Sequence, residues 1–497
     1  MEPRRQPADP ALPPVPQTAA WGRPWWAALF AALVVIGAVL PSLPAGVRNW
    51  DNLVKLQLAR NLLAGRGLVL TEATPDDGQF VTEGRGGQRV TYFPPVAALL
   101  HVATLAMEGP LGGLREGVPA LGLLAALAAV LVAWGRRAGA GPPAALAGAL
   151  FACLGTSLWP AVAHGHDVVI EALGLAMVLW ASAGEDEPGD WLAAGAVLGL
   201  AVATRIGAAV LAAPALVVVL GRRPREPGRV VRRGLALAVG ALPGLALLIW
   251  YGAQAFDWPL DLYRPRDLAG RGALYLPWFS RAHLEGMLGL TVSPGKGLFW
   301  YSPPLLAVAL AARPLWRRHR LAAFAFLVHA LATVLAFGRF VHWHGDWSWG
   351  PRFVASFAVA VAPLAWLAWE RLAAAPAWAR VAAATAALLL VAAQAFPAIG
   401  FPVYWHWQFV LTPLEKAGAL VSRPVLRSPL PADNLLLYFR FDTSPFGSLW
   451  AGFARAFADP RSAPSLWWAL ARAGVAPLLA ALATWAAWRL DRATGPR

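Results

Sequence analysis

The chain has 497 residues, of which 58% are hydrophobic and only 14% charged, and a mean hydropathy of +0.52, which excludes a water-soluble globular protein of this size. Its formal charge of +15 does not indicate nucleic acid, because the arginines gather in short segments between apolar runs, such as Arg136 with Arg137, Arg222 to Arg233, Arg313 to Arg320, and Arg371 with Arg380. That is the positive-inside pattern of cytoplasmic loops. The single cysteine, Cys153, lies inside an apolar run and excludes a disulfide framework or a cysteine metal site.

In chain order, the pattern predicts an all-α polytopic membrane protein of about twelve transmembrane helices, with interfacial helices and loops on the outer face. Residues 1–24, rich in proline and carrying Arg4, Arg5 and Arg23, read as a disordered cytoplasmic tail. An uncleaved first span follows, from about Trp25 to Leu43. The stretch from Asn49 to Leu68 mixes leucines with Lys55, Gln57, Arg60 and Asn61 and stops at Gly65 and Gly67. It predicts a short helix lying along the outer interface and closed by glycine. A polar loop runs to about Thr91. Pro94 and Pro95 then open a second interfacial or re-entrant helix that ends near Met107.

Spans are predicted from about Val118 to Trp134, Pro142 to Pro160 and Asp167 to Ala183. Two short apolar helices then meet at Thr204 and Arg205, followed by a span from Leu235 to Trp250. A span descending from about Pro304 and spans at Leu321–Phe340, Phe353–Trp369 and Val381–Ile399 complete a module over residues 25–400. Its outer loops are 46–117, 251–303 and 341–352. Residues 401–465, which carry the run YWHWQF, are too polar to cross and read as an outer-face segment. Residues 466–497 supply a last span and a cytoplasmic tail.

The polar clusters fall on one side of this arrangement: Asp51; His164 with His166 and Asp167; Arg205; the segment from Asp257 to Lys296; and His342 to Arg352. A one-sided assembly at the membrane surface suits chemistry on a lipid-borne substrate, whereas a transporter would bury its polar groups near midplane in paired broken helices. Two roles fit Asp51: general base for a hydroxyl, or N-cap of the helix that follows it. Arg205, Lys296 and Arg352 are cations able to meet a phosphate, or else orientation anchors, loop ion pairs and carbonyl caps. The GPR stretch puts Arg352 at a helix start. Glu171 lies four residues after Asp167, on the same predicted helix face and a turn deeper. His164, His166 and Asp167 with His342, His344 and Asp346 read either as hydrogen-bonding residues or as a divalent-metal site, although neither set has a diagnostic ligand spacing.

The order of these features resembles the GT-C superfamily of membrane glycosyltransferases, in the branch of protein O-mannosyltransferase-like and aminoarabinose-transferase-like enzymes. The residues that carry the resemblance are Asp51 after the first span with ARNLLAGRGL behind it, Tyr92-Phe93-Pro94-Pro95, and Asp167 after the third span. GLAVATR ending at Arg205, FDWPL, SPGKGLFWYSPP around Lys296, and WSWGPR ending at Arg352 complete the set. Two departures stand out: Asn52, where many relatives carry a second acidic residue, and HWHGDW in place of a plainer glycine-rich run.

The resemblance implies an inverting transferase that takes a sugar from a polyprenyl-phosphate donor, without a nucleotide, to a hydroxyl on an acceptor glycan, lipid or protein. Asp51 and Asp167 would be the catalytic carboxylates, and Arg205, Lys296, Arg352, Glu171, His166 and Tyr92 would line the substrate site. No metal ligand is assigned and no cofactor is expected. The place would be a bacterial inner membrane, with the site on the outer side. The alternatives are a lipid or solute transporter, and a glycopolymer polymerase or ligase using a lipid diphosphate.

Overall fold

The computed structural model describes residues 24–47, 49–70, 81–222, 226–256, 283–340 and 348–400, with residues 343 and 345. The predicted tail up to residue 23, His342, His344, Asp346, Asp257, the 401–465 segment and the last span all lie outside the described residues.

Helix α1 (Pro24–Val39) leads through a short 3-10 turn to α2 (Trp50–Leu63), and two three-residue strands, β1 (Val81–Glu83) and β2 (Arg89–Thr91), pair as a hairpin. Then come α3 (Pro95–Ala106), α4 (Val118–Arg137), α5 (Pro142–Leu154), α6 (Leu158–Ala163), α7 (Val169–Ala183) and α8 (Pro188–Thr204). A 3-10 segment, Ile206–Leu211, joins α8 to α9 (Ala212–Gly221), and α10 (Pro227–Ala255) follows. The remaining helices are α11 (His283–Thr291), α12 (Leu298–Tyr301), α13 (Pro304–Leu310), α14 (Ala312–Arg318), α15 (Arg320–Gly338), α16 (Val361–Ala373) and α17 (Ala377–Gly400). A 3-10 turn, Arg352–Ala360, runs straight into α16.

Among the described residues six helical stretches are long and apolar enough to cross a membrane, and five shorter apolar helices of 10–17 residues accompany them. This all-α polytopic architecture matches the expected class. One predicted span is broken, however: the one from Pro142 stops at Leu154, turns through Gly155, Thr156 and Ser157 and restarts as α6, whereas the one from Pro304 begins as α13 and passes into α14, which carries the predicted loop arginines Arg313, Arg317 and Arg318. The apolar average of the segment hides this break, because its turn is only three residues long and its polar groups are satisfied inside protein, Thr156 donating to the carbonyl of Ala152 at 2.7 Å and the Ser157 N–H donating to Ser302 at 3.0 Å.

Where α8 crosses α10 the backbones nearly touch. A Cβ on Gly195 or Gly199 would strike the carbonyls of Leu237 and Ala241, and one on Gly240 would strike that of Leu192. Between helices in lipid, such close approach of small residues supplies the dispersion contact that burial from water cannot.

The hairpin lies within the polar loop, where hydropathy gives no sign of it. Val81, Val90 and Leu70 cover Val54 and Leu58 of α2 and reach Tyr251 and Phe256 at the end of α10. The Tyr251 hydroxyl donates to the carbonyl of Thr91 at 2.6 Å. Consequently most of α2 does not lie on a surface. Asn52, Lys55, Gln57 and Asn61 are all buried and face protein rather than water, while Arg60 and Leu63 near its end stay exposed. The predicted glycine closure does hold: Gly65 (φ 67°) follows the C-cap, its N–H donates to Leu62 and that of Arg66 to Asn61, the paired bonds of a Schellman ending.

Charged residues gather at two ends. At one, the turn between α7 and α8 collects basic residues from three other places. Arg137 pairs with Asp190 at 2.5 Å, Arg222 donates to the carbonyls of Ser182 and Gly184, and Arg233 grips Asp186. The other end holds the candidate site.

Candidate active site

Helix α2 carries Asp51 in its first turn, but Asp51 is not its cap. Asn49 is: its backbone is extended (φ −103°, ψ 120°) and its Oδ1 accepts the N–H of Asp51 at 3.1 Å. The Asp51 carboxylate is left to point elsewhere. It meets the Arg352 guanidinium, 3.5 Å away, with both side chains 19% exposed.

One turn further along the same face of α2, Lys55 donates to Oδ2 of Asp167 at 2.8 Å and lies 4.7 Å from the Phe93 ring. The other oxygen of Asp167 accepts from Arg205 at 3.1 Å, and Nε of Arg205 reaches Oε1 of Glu171 at 2.9 Å. Two cations and two carboxylates thus form one linear network, Lys55, Asp167, Arg205 and Glu171, with formal charges that cancel. Burial opposes ionisation of Asp167, but Lys55 and Arg205 outweigh it and hold the carboxyl well below its usual range. Asp167 sits in the turn before α7, which starts at Val169, so it does not share a helix face with Glu171 as predicted. The two meet through Arg205, which stands in extended backbone (φ −146°) where α8 ends.

Phe353 closes the arrangement. Its ring lies 5.7 Å from the Arg205 guanidinium and 5.3 Å from that of Arg352, and it stacks on Phe337 at 4.8 Å. The residues therefore form a circuit: Asp51, Arg352, Phe353, Arg205, Asp167, Lys55 and back along α2.

Behind α2, buried Glu116 accepts the N–H of Asn49 at 3.2 Å and Nδ2 of Asn52 at 3.0 Å, and Asn52 also donates to the carbonyl of Gly165 at 3.0 Å. Gly165 is in the left-handed region (φ 71°), and a Cβ there would run into the Asn52 amide. His166 places Nδ1 3.3 Å from the Asn49 amide, and burial, then the Arg352 and His164 charges, push its pKa well below the usual value. These contacts fix the start of α2 against the turn that carries Asp167.

Lys296 is buried and donates to the carbonyl of Ser348 at 2.7 Å. Ser348 in turn donates to the carbonyl of Gly350 at 2.8 Å. Lys296 thereby fixes the loop that delivers Arg352 to the start of its 3-10 turn. Tyr92 is half-buried, with its ring 5.1 Å from that of Phe93. Among the described residues no group of three or more His, Cys, Asp or Glu side chains is arranged to hold a metal ion.

No protein-family model matches the chain, and no curated protein matches it. Solved structures do. ArnT from Cupriavidus metallidurans bound to undecaprenyl phosphate superposes with a TM-score of 0.52 at 17% identity, over 95% of this chain and 78% of that one. Its apo state gives 0.47 at 16%, over 96% and 78%. The archaeal oligosaccharyltransferase AglB from Archaeoglobus fulgidus, with an inhibitory peptide and a dolichol-phosphate, gives 0.43 at 12%, over 91% and 56%. This chain shares the fold of that undecaprenyl-phosphate-bound ArnT structure.

In this chain the fold brings Asp51, Asp167, Glu171, Arg205, Arg352 and His166 into one neighbourhood, with Lys296 and Tyr92 at its edges. Three participants do not stand out from sequence: Lys55, Glu116 and Asn49. Lys55 has a signal, being one of only three lysines in the chain and one turn from Asp51. Glu116, 64 residues from Asn52, has none.

Proposed function

We propose that this integral membrane protein is a glycosyltransferase that moves a sugar from a polyprenyl-phosphate donor to an acceptor hydroxyl, with inversion, at the outer face of a bacterial inner membrane. The observation that carries the proposal is the Asp51–Arg352 pair. A carboxylate relieved of capping by Asn49 stands beside a partly exposed guanidinium, at the edge of a charge-balanced network, on the GT-C fold.

The chemistry follows from those two groups. Asp51 takes the proton of the acceptor hydroxyl as its oxygen attacks the anomeric carbon from the side opposite the phosphate. The new C–O bond forms as the bond from that carbon to the phosphate oxygen breaks, and the electron pair leaves with the lipid phosphate. A phosphodiester with one negative charge becomes a monoester carrying close to two, since its second pKa is about 6. Arg352 is suited to that gain of charge because its planar fork can give two N–H bonds to two phosphate oxygens. Asp167 acts as a positioning carboxylate, keeping Lys55 and Arg205 in place on either side. Donor lipid and acceptor glycan, lipid or protein are the partners. The ArnT structure contains undecaprenyl phosphate, which supports a lipid phosphate as the donor's carrier.

Purified protein reconstituted in lipid and incubated with a panel of polyprenyl-phosphate sugars should release one of them to an added acceptor. Transport of the intact lipid without sugar release would instead identify a transporter. Sidedness is tested separately. A cysteine replacing Glu108 should react with an impermeant reagent from outside, and one replacing Gly228 only after permeabilisation; the reverse pattern would put the site on the cytoplasmic side.

A further inference from the structure

Among the arginines that meet carboxylates in the described residues, Arg205, Arg233 and Arg352 invite comparison. Arg205 and Arg233 each give at least two short bonds to carboxylates or carbonyls. Arg352 does not. A guanidinium has five donors. Among the described residues the acceptor facing Arg352 is one oxygen of Asp51, at 3.5 Å, beyond the roughly 2.7–2.9 Å of a good charge-assisted bond. Its Nε is fully enclosed and has no hydrogen-bond partner among them. Gly345 (φ 64°) lets the loop pass close over the arginine stem, since a Cβ there would lie 2.8 Å from Cγ of Arg352. The side chain is therefore held along its length while its charged end is under-satisfied. Asp51 is in the same state: its side chain makes no closer polar contact among the described residues, because Asn49 has taken over the cap.

An under-satisfied ion pair open to solvent exchanges partners readily when a better one arrives, and a phosphate offers more oxygens and more charge than one carboxylate oxygen. We propose, building on the function inferred above, that Arg352 is a shared partner. It rests on Asp51 in the empty protein and transfers to the lipid phosphate when the donor binds. The Asp51 oxygen that faced it then becomes available to an acceptor hydroxyl only in the donor complex. The base is thus exposed by the donor, which fixes an order of donor first and acceptor second. After transfer, Asp51 gives its proton to solvent and competes again for Arg352, loosening the leaving lipid phosphate. No atom beyond those of donor and acceptor is needed: one proton moves from hydroxyl to Asp51 to water, and the sugar changes oxygens.

The inference predicts that Asp51 weakens phosphate binding. Farnesyl phosphate binding to the detergent-solubilised full chain should be measured by calorimetry, with farnesol as the phosphate-free control. Asp51→Asn should tighten farnesyl phosphate binding by about threefold or more, on the scale of a partly exposed ion pair, and leave farnesol unchanged. Arg352→Ala should weaken it at least about tenfold, the loss of a charge-assisted contact to phosphate. In the double variant the gain from Asp51→Asn should vanish, because Arg352 is no longer there to be released. Asp51→Ala serves as a second probe should the Asn form fold poorly. Unchanged binding in both Asp51 variants overturns the inference. So does an equal gain with and without Arg352, which would mean that Asp51 repels phosphate directly. If the wild type binds farnesyl phosphate no better than farnesol, the failure belongs to the proposed function, and the inference falls with it.

Discussion

The two ends of the molecule each hold an Arg–Asp pair, and they are built differently. At the basic end Arg233 and Asp186 are almost wholly enclosed, at 1% and 3% side-chain exposure. Nε of Arg233 lies 2.6 Å from Asp186, its terminal nitrogen 2.5 Å away, and Trp191 adds a third donor at 3.1 Å. At the other end Asp51 and Arg352 share one 3.5 Å contact and are each 19% exposed. A buried pair with its hydrogen bonds made is fixed, because separating it would strand a charge in a low-dielectric interior. A loose, wetted pair costs little to open and is available for chemistry. The same two residue types serve structure in one place and reaction in the other, and their surroundings decide which.

The largest effect that would sharpen this contrast is on rate. Asp51→Asn should lower sugar transfer by roughly 10²- to 10⁴-fold with melting temperature in detergent nearly unchanged, because the amide cannot accept the hydroxyl proton and the cap belongs to Asn49. Transfer at the wild-type rate would remove Asp51 as the base and erase the contrast.

Asp186→Asn should do the opposite. Transfer per folded molecule should hold while stability falls by about 3–5 kcal/mol, the scale for stranding one partner of a buried pair. Asparagine tolerates the left-handed backbone at this position (φ 76°), so the loss is electrostatic. Hydrogen bonds from Arg233, which burial opposes and Trp191 assists, hold the Asp186 carboxyl down at about 2. Its folded value is depressed, so its contribution is complete above the ordinary carboxylate range and disappears as pH falls from about 4 through about 2. Melting curves recorded against pH should show this acid step in the wild type and lack it in the variant.

A smaller effect tests the scaffold behind Asp51. Asn52→Asp places a second carboxylate where an amide now donates to Glu116 at 3.0 Å, and should cost about 1–3 kcal/mol of stability. Adding Glu116→Gln should recover part of that loss, since the new amide can then donate to the new carboxylate, while the Gly165 carbonyl still lacks the amide donor of Asn52. Additive losses in the double variant would show that the two side chains are not coupled. The smallest effect expected is at the cap: Asn49→Ala should cost about 1 kcal/mol, and Asn49→Ser a few tenths. A silent Asn49→Ala would mean that Asp51 resumes the capping role and is less free than its position suggests.

The local devices are legible because each depends on a few adjacent residues. Gly65 closes α2, Pro95 opens α3, Arg205 marks the junction after α8, and Arg352 begins the turn into α16, all where sequence places them. The cap is harder to read: Asn49 and Asp51 are both good capping residues, and only the backbone angles at Asn49 assign it. The burial of α2 escapes sequence for a related reason. Lys55, Gln57 and Asn61 among leucines look like a wetted face until the fold buries them, Lys55 against Asp167, 112 residues away, and Asn61 against the carbonyl of Val69.

Sequence by itself determined the solvent of this protein, the order of its apolar helices and which titratable residues were worth attention, because hydropathy, charge placement and helix signals act over one or two turns. Tertiary structure alone decided who pairs with whom. It joined Lys55 to Asp167, set Glu116 behind Asn52, and left Asp51 with one loose contact while closing Asp186 on all sides. Pairing of this kind depends on the positions of side chains far apart in the chain, and on how much water remains between them, and neither quantity has a local signature in sequence.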